Sequence, residues 1–314
     1  MTPNLERRQP VRRVLVHGLL YVGRMFAELM DGDGWDFRYY PDHGIHNLAS
    51  MARDLHECDL VYQIGGRVTL GKFLHAAKFL KKQKLIMHWA GSDVMGQRRE
   101  VERGAANPWV MRNVHHWAVS EWLADEVGDL GLPCEWVPLP PGNVPEQPSP
   151  LPKNFSVLVY MPDTRRSELY GLDRILRVAR QLPEIPFELV GLIHGRVDDP
   201  PANLRIHGRI PDLAKFYKRA SLVWRPTRHD GLSFMVLEGL GYGRHVLWSY
   251  AFPGCVQVTD VADARDAIAR LHARHKEGRL GINQEGVQVI AERGFLPQHL
   301  KRSTLARLER ILSQ

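Results

Sequence analysis

The residues best suited to chemistry in this 314-residue chain are two acids eight positions apart, Asp230 and Glu238. Asp230 stands in a loop and is followed by Gly231 and Leu232. Glu238 ends the run Phe234-Met235-Val236-Leu237-Glu238, an apolar stretch that reads as the start of a helix. A carboxylate among such neighbours is costly to bury unless it accepts hydrogen bonds. The hydroxyls of a sugar or a ribose are donors of that kind, and the helix N-terminus beside the loop favours anions. Asp230 has a second reading, as a simple cap on the same helix. In the first half of the chain, Gly18 and the pair Gly65-Gly66 end apolar runs; they either let backbone approach a ligand or make ordinary turns.

The elements that must hold these residues alternate along the chain. Apolar strands are read at 14–18, 35–40, 60–64 and 85–89, with helices at 25–30 and 72–83. A break follows, with seven prolines in residues 138–152, where neither a helix nor a central strand survives. The alternation then restarts, with strands at 155–160, 187–190, 204–207, 222–224 and 245–248, and helices at 172–182 and from 234. An amphipathic helix at 298–312 uses Leu305, Leu308 and Leu312, with Leu300 near its start. Apolar strands separated by helices indicate parallel sheets covered on both faces. The expected fold is α/β, with two doubly wound domains and the ligand site in the cleft between them. The boundaries expected are 1–138, a linker at 139–153, a second domain at 154–295 and a terminal helix at 296–314.

The segment Trp224 to Leu247 resembles the signature of retaining glycosyltransferases of family four, in which two acids lie eight residues apart ahead of a small-residue turn and a strand. Asp230, Gly231, Leu237, Glu238, Gly243 and Val246 fall where that pattern expects them, while His245 replaces a proline and Gly239 an alanine. Leu189-Val190-Gly191, Ile206-His207-Gly208, Ala118 to Leu123 and Val137 to Gly142 are similar to flanking segments of the family. The resemblance covers roughly residues 114–260. It implies the GT-B architecture, two Rossmann-like domains facing each other across a cleft, and the transfer of a sugar from a nucleotide-diphosphate donor (UDP or GDP) to a hydroxyl with retention. The C-terminal helix is then expected to pack back on the N-terminal domain.

The same resemblance implies the site. Glu238 binds the donor ribose and Asp230 the transferred sugar, with Gly231 and Leu232 beside them. Arg165 or Arg166 supplies the cation for the diphosphate, near Gly171 and with Arg228 close by. Where the family has a lysine before that glycine, this chain has Tyr170, which carries no charge. In the N-terminal domain, His88-Trp89-Ala90-Gly91-Ser92-Asp93 is similar to a histidine–glycine–aspartate loop; His88 or Asp93 orients an acceptor hydroxyl or contacts the sugar, or His88 is a packed residue with its hydrogen bonds satisfied. Gly18, Gly65 and Gly66 are the other acceptor-side candidates. No cofactor or metal is implied beyond the nucleotide sugar as co-substrate. The acceptor is a glycan, a lipid-linked molecule or a small molecule. The alternative is a catalytically silent GT-B protein that binds a glycan or a partner, motivated by Tyr170 and by the shorter acid at Asp230.

Composition narrows the classes further. Hydrophobic residues make up 44% and charged residues 25%, as in ordinary globular proteins. The net charge of +7 is uneven: residues 1–150 hold 17 basic and 18 acidic side chains, and residues 151–314 hold 25 and 17. No nucleic-acid-binding motif accompanies the basic half, so no nucleic-acid partner is expected. The N-terminal eight residues lack the apolar core of a signal peptide, and Cys58, Cys134 and Cys255 form neither a disulfide framework nor a zinc knuckle, which fits the cytoplasm. Glycines 239, 241 and 243 have the wrong spacing for a dinucleotide fingerprint. The lysines Lys72, Lys78, Lys81, Lys82 and Lys84 make one side of a helix basic; it is either a solvated face or a contact to the inner face of a membrane.

Overall fold

A computed structural model of the chain describes residues 11–42, 48–80 and 84–314. The N-terminal segment read above and Lys81 and Lys82 lie outside these residues. The chain divides into two compact units. One takes the described residues up to Pro140 together with Gln298–Gln314, and the other takes Pro141–Pro297.

The first unit runs β1 (Arg12–Gly18), α1 (Leu20–Met30), β2 (Trp35–Pro41), α2 (Leu48–Glu57), β3 (Leu60–Ile64), α3 (Lys72–Phe79), β4 (Leu85–Trp89), α4 (Asp93–Glu102), α5 (Pro108–Asn113), β5 (His115–Ala118), α6 (Glu121–Gly128) and β6 (Cys134–Trp136). Its six strands are parallel, in the order β2-β1-β3-β4-β5-β6. All five residues of β3 and all five of β4 are buried, as helices on both faces require. Local signals set the helix starts: Asn107 caps α5 ahead of Pro108, and Ser120 caps α6 through the Leu123 amide. Helix α1 begins five residues earlier than the sequence pattern indicates, because its first turn exposes Leu20 and Tyr21 and carries no apolar periodicity. In α3, Phe73, Leu74 and Ala77 face inward while Lys72 and Lys78 are exposed.

The second unit runs β7 (Val157–Tyr160), α7 (Ser167–Tyr170), α8 (Leu172–Gln181), β8 (Phe187–Val190), β9 (Leu204–Ile206), α9 (Ala214–Arg219), β10 (Leu222–Arg225), α10 (Phe234–Gly241), β11 (His245–Trp248), β12 (Val256–Gln257), α11 (Val261–Lys276) and α12 (Gln284–Glu292). Its sheet is also parallel, ordered β12-β11-β10-β7-β8-β9. Strand β7 therefore lies between β8, which follows it in the chain, and β10, where the winding reverses. One core joins β7, β8 and β10 to α8 and α11 through Val157, Val159, Ile175, Val178, Leu189 and Ile268. Helix α10 is buried from Met235 to Gly241, and Gly239 lets it lie against Val223 and Val246.

The proline-rich segment is tied to this unit. The fully buried Arg244 donates to the carbonyls of Ser149, Pro150, Ala220 and Tyr242. Val144 and Pro145 close over Gly241, and Pro148 over Gly243. From Pro141 onward the segment therefore wraps the end of α10.

The last helix, α13 (Pro297–Ser313), contacts the first unit: Lys301 Nζ donates to the Asp31 carbonyl at 2.9 Å, and Arg307 Nε reaches Glu135 at 2.8 Å. Its buried stripe is Leu300, Thr304, Leu308 and Ile311, one position removed from the stripe expected at Leu305 and Leu312. Thr304 is the reason, since a polar residue holds an inward position and its buried Oγ1 has no hydrogen-bond partner. Thr304→Val keeps the shape and removes that hydroxyl. It is expected to raise stability by about 1 kcal/mol, measured by urea unfolding.

Candidate active site

In a doubly wound sheet the crevice opens at the carboxyl ends of the two strands where the winding reverses. In the second unit these are β7 and β10. Their ladder pairs Leu222 with Val157 and Val223 with Leu158, and it stops two residues short of both strand ends, Tyr160 and Arg225. On the other side of β7, pairing with β8 continues to Tyr160. The sheet thus parts between Tyr160 and Arg225.

Arg225 is 7% exposed. Its Nε donates to Asp230 Oδ2 at 2.7 Å and its Nη2 to Oδ1 at 3.3 Å, and Thr227 Oγ1 adds a bond to Oδ2 at 3.0 Å. The guanidinium lies over two rings, 4.9 Å from the centre of Tyr170 and 5.7 Å from that of Tyr160. Burial opposes its charge, but the Asp230 carboxylate beside it and the two rings outweigh that and raise its pKa. Asp230, expected at the sugar, is therefore bound to a buried cation. The cap of α10 falls to Ser233, which makes no side-chain capping bond, and Gly231 and Leu232 are buried between the two.

Tyr170 ends α7, and Gly171 joins it to α8 with φ +68. A Cβ on Gly171 would stand 2.3 Å from the Pro226 carbonyl oxygen, so glycine is what lets the loop after β10 reach the start of α8. The two expected cations lie apart from this contact. Arg165 is exposed and turned back onto Asp163, Nε to Oδ2 at 2.9 Å. Arg166 is exposed, 5.4 Å from the centre of the Tyr170 ring. Arg228 is clasped by Glu168 and Asp173, each at 3.3 Å, at the edge of an open groove of about 420 Å³ that also holds Arg174 and Arg177.

Glu238 is 4% exposed. Its Oε2 accepts from the Tyr217 hydroxyl at 2.6 Å and its Oε1 from the Asn143 amide at 3.2 Å. Tyr217 is held by stacking on Tyr242, ring centres 5.1 Å apart. Burial raises the carboxyl to about 7, against the pull of these hydrogen bonds. The group is thus a buried acid that needs further donors to ionise fully.

The candidates of the first unit prove to be built into its frame. His88 is fully buried; Nε2 donates to the Val137 carbonyl at 2.7 Å, which leaves Nδ1 to accept from the Tyr62 hydroxyl at 2.6 Å. Burial lowers its pKa to about 3. Both nitrogens are used by the protein, so His88 stands here as a packed, neutral ring, the second of the two readings its sequence allows. Asp93 accepts from four amides, those of Gly66, Ala90, Gly91 and Val94, at 2.6–3.1 Å. Gly66 lies where a Cβ would fall 1.9 Å from the Trp89 ring, and a Cβ on Gly18 would fall 1.9 Å from the Ile64 carbonyl oxygen. These two glycines answer to packing against protein, and Gly65, with φ +106, to a turn.

Arg225 is legible in the sequence only as part of the basic excess, with Arg165, Arg166 and Arg228, in segments expected to face the donor phosphates. Three residues of the site are not read from the sequence: Thr227, Tyr217 and Asn143. Thr227 lies three residues from Asp230, so a polar cluster around the acid is the available signal. Tyr217 and Asn143 reach Glu238 from 21 and 95 residues away, and nothing local marks them. Among the described residues, no group of three or more His, Cys, Asp or Glu side chains could hold a metal ion, and no helix is long and apolar enough to cross a membrane.

No model of a known protein family matches the chain, and no curated protein matches it in sequence. Solved structures do match. Sucrose-phosphate synthase from Thermosynechococcus elongatus superposes with a TM-score of 0.69 at 12% identity, covering 96% of this chain and 100% of that one. A glycosyltransferase from Rickettsia africae gives 0.61 at 10%, covering 96% and 99%. A mutant of S. aureus TarM in complex with fondaparinux, α-GlcNAc-glycerol and UDP gives 0.61 at 12%, covering 86% and 59%, so the chain spans about three-fifths of TarM's length. Two parallel six-stranded sheets flanked by helices, matched in this way, give the chain the GT-B fold of these glycosyltransferases.

Proposed function

We propose that the chain is a glycosyltransferase that moves a sugar from a nucleotide-diphosphate donor to the hydroxyl of a glycan, a lipid-linked molecule or a small molecule, with retention at the anomeric carbon. The observation that carries this reading is Glu238: a buried carboxyl on the helix that follows β10, with Tyr217 and Asn143 as its donors and a pKa raised to about 7 by burial. Vicinal ribose hydroxyls are donors of the kind that would stabilise its ionised form. The fold is shared with TarM, whose structure contains UDP, and the start of α8 at Gly171 offers backbone amides suited to phosphate. In this reading the protein supplies little covalent chemistry. It holds the donor in place and stabilises the charge that develops on the leaving diphosphate.

The test is a melting screen with UDP, GDP and their sugars, followed by donor-hydrolysis assays. A donor at a hundred times its Kd should add about 2.7 kcal/mol, a shift of roughly 5–10 °C for a domain of this size. If no nucleotide moves the transition, the donor assignment fails. One observation favours the alternative of a silent, glycan- or partner-binding protein: Asp230 is already engaged by Arg225 and Thr227. Binding of the donor without turnover towards any acceptor would support that alternative.

A further inference from the structure

We propose that Arg225 is the residue that grips the donor diphosphate in this chain, at the opening between β7 and β10. The assignment rests on the donor reading above and adds to it a residue other than the two acids and the cations expected for the diphosphate.

Three features of the site support it. First, Arg225 and Tyr160 are the last residues of the two strands at which the winding reverses, and the ladder between those strands has already ended. Second, the guanidinium is held on one edge only. Asp230 takes Nε and Nη2, and the rings of Tyr160 and Tyr170 fix its plane. Nη1 makes no hydrogen bond among the described residues, while the side chain keeps 9% of its surface in solvent. A guanidinium carries five N–H donors, so at least the two on Nη1 remain for an anion. Third, Gly171 brings the carbonyl of Pro226, the residue after Arg225, against the start of α8. The arginine and the first amides of that ten-residue helix thus belong to one locus.

The other cations nearby are differently placed. Arg165 is exposed on Asp163, Arg166 is exposed beside Tyr170, and Arg228 is held between two acids. Tyr170 itself has no charge to offer, yet its ring carries the Arg225 guanidinium on its face. Asp230 neutralises the buried arginine when no ligand is bound, which keeps the cost of burying it low. It also leaves the arginine pre-organised, so that little side-chain freedom is lost when phosphate binds.

The experiment compares the affinity of UDP or GDP, whichever the chain binds, with that of the matching nucleoside by calorimetry. The ratio of the two isolates the diphosphate. Arg225→Met is expected to lower the ratio tenfold or more, with the nucleoside bound within twofold of the parent chain. Arg225→Lys keeps a cation for Asp230, and with it the fold, but lacks the second edge; it is expected to lower the ratio at least fivefold. If Arg225→Met does not fold, Arg225→Lys decides. An unchanged ratio in Arg225→Lys overturns the assignment and leaves the donor reading standing. A parent chain that binds neither nucleotide overturns the donor reading itself, and this assignment with it.

Discussion

Glu238→Ala is expected to abolish nucleotide binding, a loss of more than a hundredfold in affinity, because the carboxyl lies at the centre of the proposed ribose site and is already wired to Tyr217 and Asn143. The conservative Glu238→Gln separates this role from packing. Burial raises the carboxyl from 4.5 to about 7 in the folded chain, so between these values the native state holds a proton that the unfolded state has released. Stability is therefore highest below pH 4.5 as far as this group is concerned, falls as pH rises towards 7, and then levels off. The fall amounts to about 2–4 kcal/mol, and Glu238→Gln, which cannot ionise, removes it. Denaturant unfolding at pH 5 and pH 8 measures the difference. Nucleotide affinity should run the other way in the parent chain: ribose hydroxyls favour the carboxylate, so affinity rises with pH up to about 7 and binding below that releases a proton. A pH-independent affinity would refute the contact between Glu238 and the ribose.

Asp93→Ala is expected to destabilise the first unit by about 3–5 kcal/mol, since the amides of Gly66, Ala90 and Gly91 lose their acceptor together, Val94 keeps only the Gly91 carbonyl at 3.3 Å, and each buried, unpaired donor costs about 1–3 kcal/mol. The melting temperature should fall by more than roughly 6 °C. The carboxylate ties the turn after β3 to the start of α4 through Gly66, Ala90, Gly91 and Val94. An acceptor-binding residue would behave otherwise, leaving the melting transition in place while KM for the acceptor rose. A thermal melt of this one variant decides between the two roles.

His88 and Asp93 show what the sequence could not separate. A histidine and an aspartate at the end of an apolar strand read equally well as catalytic groups and as frame. What holds each in place is Tyr62 and Val137 for one and Gly66 for the other, partners 26, 49 and 27 residues away. Helix α11 leaves only a faint mark in the sequence, because its inward face is built on Ala264 and Ala267 beside Ile268 and Leu271, and alanine gives a weak apolar signal. Most strands of the two sheets, by contrast, announced themselves, because a strand covered on both faces has to be apolar at nearly every position.

The sequence by itself determined the two α/β halves on either side of a proline-rich break and placed Glu238 in a buried helix, since local periodicity, apolar runs and proline chemistry act over a few residues. It also located the positive charge in the second half. Only the tertiary structure decided which partners meet. It closed Asp230 onto Arg225, brought Asn143 and Tyr217 to Glu238, withdrew His88 into a neutral core and turned Thr304 inward. For Glu238 and His88 the partners are distant in the chain, so only the winding of the sheets could bring them together.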